Sequence, residues 1–115
     1  MAKVTNATKG TVVADDVRIA RSMWSRFWGL MGRKSLPDGQ GLLLDPCSSV
    51  HMFFMRFPID VVFLDRENKV VKVVSELKPY RTALGGRASK KALELPARSA
   101  ERARIEPGDV LTLEG

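Results

Sequence analysis

The sequence predicts a mostly β domain, a compact antiparallel β-sandwich or barrel with one short N-terminal helix. Three observations carry that expectation. Short runs rich in Val, Ile, Leu and Phe recur along the chain, separated by Gly, Pro, Asp and Asn, the punctuation expected of strands and turns. Only residues 23–30 combine helical spacing with a capping residue. The connections between apolar runs are too short for helical crossovers, so neighbouring strands should run antiparallel. Many short strands with frequent turns belong to sandwiches and barrels.

Residues 11–13 and 17–19 are apolar runs flanking Ala14, Asp15 and Asp16, which read as a hairpin or bend. Ser22 can cap a helix over 23–30, because its hydroxyl accepts from an early amide. Met23 and Phe27 share one face of it, Trp24 and Trp28 another. A helix this apolar must be covered, so it reads as a core plug. The glycine-rich loop that follows, with Pro37, gives sharp turns. It is no phosphate loop, because no Gly-Lys-Ser/Thr triplet follows.

Residues 42–44 form a strand stopped by Pro46, and 50–54 a second strand-like run. Residues 59–64 are apolar on both faces apart from Asp60, the pattern of a central strand. Residues 65–69 turn the chain, and 70–74 return with β-branched residues, completing a hairpin. Residues 77–89 look like loop, hinged at Gly85 and Gly86. A short strand at 92–95, a helical turn over 99–104 and a last strand at 110–113 finish the chain.

With 115 residues, 44% hydrophobic and 28% charged, the chain is expected to form a single globular domain, 1–115. No apolar run approaches the roughly 18–20 residues of a membrane span. The N-terminus lacks the apolar stretch of a secretory signal, and one cysteine makes no internal disulfide. A cytoplasmic location is therefore expected. Charge is uneven. Between Lys78 and Arg104 stand eight basic residues against Glu94 and Glu101, so this stripe holds a surplus equal to the +6 of the whole chain. It could meet nucleic acid, but only Tyr80 interleaves the charges as a stacking platform. A solvated face is favoured, and nucleic acid stays the lesser alternative.

Chemistry concentrates between Cys47 and Asp65, which hold the only cysteine and the only histidine, with Arg56 and Asp60 among apolar residues. Buried polar groups without partners cost about 1–3 kcal/mol each, so Asp60 must find a side chain, a backbone group or a ligand. An Arg56–Asp60 pair could fix this segment or receive a polar ligand, with the structural role favoured. Cys47 and His51 could form an activated nucleophile, with Asp60 or Asp45 orienting the ring. On an extended chain they stand roughly 13 Å apart, so contact needs a tight turn at Ser48 and Ser49. An inert cysteine is the better expectation. A metal held by Cys47, His51, Asp45 and Asp60 is disfavoured for want of paired Cys/His spacings. Asp60 and Asp65 point to opposite faces of a strand and cannot flank one glycosidic bond. No metal or cofactor is expected.

Five segments resemble the Domain of Unknown Function family 192. They are Arg26-Phe27-Trp28-Gly29-Leu30-Met31-Gly32-Arg33, Gly41-Leu42-Leu43-Leu44, the run from His51 to Asp65, Ala92-Leu93-Glu94-Leu95-Pro96-Ala97, and Ile105-Glu106-Pro107-Gly108-Asp109. The match spans about residues 11–113, with the five motifs in register. The resemblance implies a compact β fold with a small helix and supplies no activity.

These readings favour a non-catalytic binding or accessory domain for an unknown small molecule or protein. Trp24, Trp28, Phe53, Phe54 and Met55 would wall a pocket containing His51, Arg56 and Asp60, as apolar sites with a few convergent polar groups do. The same aromatics and arginine could instead meet a partner protein. The rival is an enzyme using Cys47 or His51, oriented by Asp60.

Overall fold

The computed structural model describes residues 2–22, 34–52 and 55–115. The helix expected over 23–30, with Trp24 and Trp28, lies outside the described residues, as do Phe53 and Phe54. The fold is mostly β. Nine strands are described: β1 (Ala2–Asn6), β2 (Thr11–Ala20), β3 (Gln40–Leu44), β4 (Ser49–His51), β5 (Ile59–Leu64), β6 (Val70–Leu77), β7 (Thr82–Leu84), β8 (Lys91–Pro96) and β9 (Leu111–Glu114). The one helix among the described residues, α1 (Ser99–Arg102), is a single turn near the C-terminus rather than the N-terminus.

Seven strands form one curled sheet in the order β6-β5-β8-β3-β2-β1-β9, and β4 and β7 form a separate ribbon. The large sheet is a half-barrel whose edges meet at one end. There a bridge joins Lys69 to Val110, the Val70 amide donates to Asp109 O at 2.7 Å, and the Leu111 amide donates to Asn68 O at 2.9 Å. The expected hairpin is β5–β6, paired antiparallel from Ile59↔Leu77 to Leu64↔Val70. Strand β5 is buried at every position and lies between β6 and β8, as its two-sided apolar pattern predicts.

Three expectations are corrected. Ala14, Asp15 and Asp16 do not turn the chain, because 11–20 is one strand. The amides of Asp15 and Asp16 both donate to Gly39 O at 3.0 Å, and the β1–β2 register slips nearby. The polar pair marks a bulge, which bends a strand without ending it. Second, the sheet is not wholly antiparallel, since β2 and β3 run parallel. The intervening residues, 21–39, are long enough for the crossover that a parallel pair requires. Third, 77–89 is not all loop. Strand β6 continues to Leu77, and β7 pairs with β4.

Strand alternation sorts the core into two clusters, one on each face of the sheet. Val17, Leu43, Val62, Leu64, Leu93 and Leu95 pack together with Ala100 of α1. Leu42, Leu44, Val61, Phe63 and Ala92 pack on the opposite face, where Val50 of β4 and Ala83 of β7 join Met52 and Met55 over them. A side chain at Gly85 would collide with Ser89 and Phe63, its Cβ lying 2.6 Å from Phe63 Cδ1. Only glycine lets the end of the ribbon approach so closely. No helix among the described residues is long and apolar enough to cross a membrane.

The closure is latched by Asp109. Its Oδ2 accepts from Asn6 Nδ2 at 2.9 Å, Lys9 Nζ at 2.9 Å and the Glu106 amide at 3.0 Å. These bonds, Asn6 first and Lys9 second, hold its pKa down from 3.8 to about 2. A carboxyl depressed in the folded state contributes stability above its unfolded pKa and loses it as pH falls through the folded value. Asp109→Asn is therefore expected to be less stable than wild type at pH 7, with the gap closing between pH 3.8 and 2. Urea midpoints across that range check this, and a gap independent of pH would show that the carboxylate charge does not hold the latch.

Candidate functional site

Asp60 is wholly buried, and alternation on β5 turns it away from Ile59 and Val61, which pack with Met52 and Met55. It faces the side that carries α1. Oδ1 accepts from the Glu76 amide at 2.8 Å and Oδ2 from the Ala100 amide at 2.9 Å. Glu76 has φ 51°, so this bond pins a left-handed residue near the end of β6. The structure thus gives Asp60 two backbone donors and does not bring it together with His51 or Arg56. Arg56 is exposed and follows Met55, whose amide closes a turn onto Met52 O at 3.2 Å.

His51 ends β4, opposite Thr82 of β7, on the outer side of the ribbon, since its neighbours Val50 and Met52 point inward. Cys47 is partly buried and its Sγ donates to Ser49 O at 2.9 Å. Asp45 lies 4.0 Å from Arg21. Asp65 accepts from the amides of Glu67 and Lys69, both at 2.9 Å, as a turn residue does. Among the described residues, no three His, Cys, Asp or Glu side chains cluster as metal ligands. Trp28 and Phe53 lie outside the described residues.

The carboxyl that does face the Met52 and Met55 side is Glu94. On β8 it pairs with Leu42 of β3 and Val61 of β5, and it alternates with Leu93 and Leu95 of the other cluster. It is 6% exposed. Among the described residues, no hydrogen bond or ion pair reaches its carboxyl, and burial alone pushes its pKa from 4.5 up to about 7. In sequence, Ala-Leu-Glu-Leu-Pro looks like a strand with its polar residue turned to water.

With this geometry in view, relatives can be compared. The DUF192 family model, described as "Uncharacterized ACR", matches residues 4–113. The chain belongs to the DUF192 family. A UPF0127 protein of Pyrococcus furiosus is 39% identical over 111 residues, covering 92% of this chain and 93% of that one. A UPF0127 protein of Thermococcus sibiricus is 33% identical, covering 95% of this chain and 73% of its own length. The crystal structure of a protein of unknown function from Novosphingobium aromaticivorans superposes with a TM-score of 0.82 at 23% identity, over 96% of this chain and 82% of that one. That likeness concerns the fold alone.

Two predictions follow from the carboxyls of this DUF192 domain. Asp60→Ala strands the buried Ala100 amide and the part-buried Glu76 amide, at about 1–3 kcal/mol for each lost bond. Equilibrium unfolding should therefore show a loss of about 3 kcal/mol or more. A loss below 1 kcal/mol would mean that water replaces the carboxylate. Glu94 has the opposite sign. Its folded pKa is raised, so the protein loses stability as pH climbs from 4.5 through about 7. At about 1.4 kcal/mol per unit, the cost reaches about 3 kcal/mol above that range. Glu94→Gln should gain on wild type between pH 5 and pH 8 by an amount of this order. A difference that does not change with pH would show that the carboxyl is solvated.

Proposed function

We propose that this DUF192 domain is a non-catalytic small-ligand-binding module, with its site on the Met52 and Met55 side of the sheet. Glu94 forms the base of that site. The observation that carries the reading is the buried Glu94 carboxyl, for which burial is not offset by any protein donor among the described residues. A carboxyl that weakens the fold and does no internal work is the kind of group retained for function at a cost in stability. Apolar walls around a few polar anchors are what small-ligand sites share. Met52, Met55, Leu42 and Val61 belong to the apolar cluster on this side. A ligand that donates a hydrogen bond or a positive charge to Glu94 would offset its desolvation.

Catalysis through Cys47 is the weaker reading. A thiol that donates its proton to Ser49 O is engaged as a thiol, and the reactive species is the thiolate. Asp60 serves the backbone instead of orienting His51. The partner-protein reading rests on the aromatic residues outside the described segments and gains no specific support here.

Thermal shift of wild type and Glu94→Gln, against amines, amides and polyols at pH 6 and pH 8, tests the reading. A compound that raises the Tm of wild type and leaves Glu94→Gln unmoved is expected. If every stabilising compound acts equally on both proteins, Glu94 is no anchor. If none stabilises wild type, the module reading falls.

A further inference from the structure

The outer face of the β4–β7 ribbon has a different chemistry from its inner face. The ribbon and its flanks are built from residues 46–59 and 77–93, and neither stretch contains an aspartate or glutamate. The two stretches are stitched together by backbone bonds. The Cys47 amide donates to Lys90 O, the Gly85 amide to Ser48 O, the Met52 amide to Arg81 O and the Tyr80 amide to Met52 O, each at 2.8 Å. Val50 and Ala83 point inward, so Ser49, His51, Thr82 and Leu84 point out. Arg56, Lys78, Arg81, Arg87 and Lys90 are all exposed around them.

The structure divides the basic stripe in two. Toward its C-terminal end the cations are engaged: Arg98 lies 3.4 Å from Glu76, Arg102 lies 3.2 Å from Asp38, and Arg104 donates to Lys9 O at 3.3 Å. Lys91 donates to Asn68 Oδ1 at 2.8 Å. The ion pairs among the described residues include none of Arg56, Lys78, Arg81, Arg87 and Lys90. Within the stripe, the cations that enter no ion pair among the described residues and lie in the segments that build and flank the ribbon are therefore Lys78, Arg81, Arg87 and Lys90.

Tyr80 adds a second, independent feature. It occupies the third position of the turn Lys78-Pro79-Tyr80-Arg81, closed by the Arg81 amide on Lys78 O at 3.2 Å. Its φ is 66°, in a type II pattern whose third position favours glycine or asparagine. A tyrosine there is strained, yet it is 63% exposed, and Leu84 further along the ribbon is 68% exposed. Strain held at a displayed aromatic side chain is a pointer to function. An aromatic ring between two cations is also the arrangement that strand-binding proteins use, with a base on the ring and phosphates on the flanking charges.

We propose that the outer face of the β4–β7 ribbon binds single-stranded nucleic acid, a base stacking on Tyr80 while Lys78, Arg81, Arg87 and Lys90 hold the phosphates. The ribbon is two strands of three residues each, a length that suits a few nucleotides of one strand better than a duplex groove. This site is separate from the Glu94 side and stands or falls without it.

Fluorescence anisotropy with labelled twelve-nucleotide oligo-dT and oligo-U tests the proposal on wild type, Tyr80→Ala, Tyr80→Trp and Lys78→Ala/Arg81→Ala. Wild type should bind, and four phosphate contacts should weaken binding about 50-fold between 50 and 200 mM salt. Tyr80→Ala should bind about tenfold or more weakly, and Tyr80→Trp should keep the affinity. Tyr80 is exposed, so these variants are expected to fold, which circular dichroism verifies. The proposal is overturned if wild type fails to bind at 50 mM salt, or if folded Tyr80→Ala binds as wild type does. Competition by poly-glutamate at charge parity with the oligonucleotide would also overturn it, in favour of an acidic protein partner.

Discussion

One buried carboxylate joins three elements of this fold. Asp60 stands on the strand with no exposed face and reaches the Glu76 amide of β6 and the Ala100 amide just inside α1. Both donors belong to segments that cannot satisfy themselves. Glu76 is left-handed and breaks the regular ladder of β6. A one-turn helix leaves its first amides without intrahelical acceptors, and no side chain of its own caps α1. A single side chain supplies both deficits. The position of α1 against the sheet, and with it the cover over Leu93, Leu95 and Val62, depends on this tether.

The two faces of the same sheet therefore treat carboxyls in opposite ways. On the α1 side, every lone pair that matters on Asp60 is matched by a backbone donor. On the ribbon side, Glu94 has apolar strand neighbours, Leu42 and Val61, and its proton is held by desolvation alone. The first group explains why the fold is stable. The second opposes folding above neutral pH. That asymmetry is a better guide to function than burial, because both residues are buried and, among the described residues, hydrogen-bond donors reach only Asp60.

Strand and turn patterns were largely legible. The β5–β6 hairpin, β3, β8, the turn at α1 and β9 follow from apolar runs and Gly/Pro punctuation, because local chemistry decides them. Two features depend on contacts far apart in sequence and were hidden. The bulge at Asp15 and Asp16 exists because Gly39 O is available to both amides. The parallel β2–β3 pair joins strands separated by residues 21–39. The site was half legible. A polar residue inside an apolar strand marked Asp60 as needing a side chain, a backbone group or a ligand, and the structure supplies two backbone amides, but which face it uses becomes visible only against Met52 and Met55. Glu94 was missed because alternation looks the same whether the polar face meets water or a second layer of protein.

The second layer also explains the charge distribution. Thirteen acidic residues are spread along the chain, yet none falls within the two stretches that build the ribbon and its flanks. Solubility alone would be served by mixing the signs, as the C-terminal end of the basic stripe does by pairing Arg98 with Glu76 and Arg102 with Asp38. Instead, carboxylates are absent from the stretches that form the ribbon and its exposed, basic flanks. Cations gathered without carboxylates beside them in the chain repel one another, so this arrangement costs stability unless an anion shares the surface. The strained Tyr80 stands at the end of that same face. Two local costs at one place, one electrostatic and one in the backbone, have a common explanation if the ribbon's outer face meets something anionic and flat.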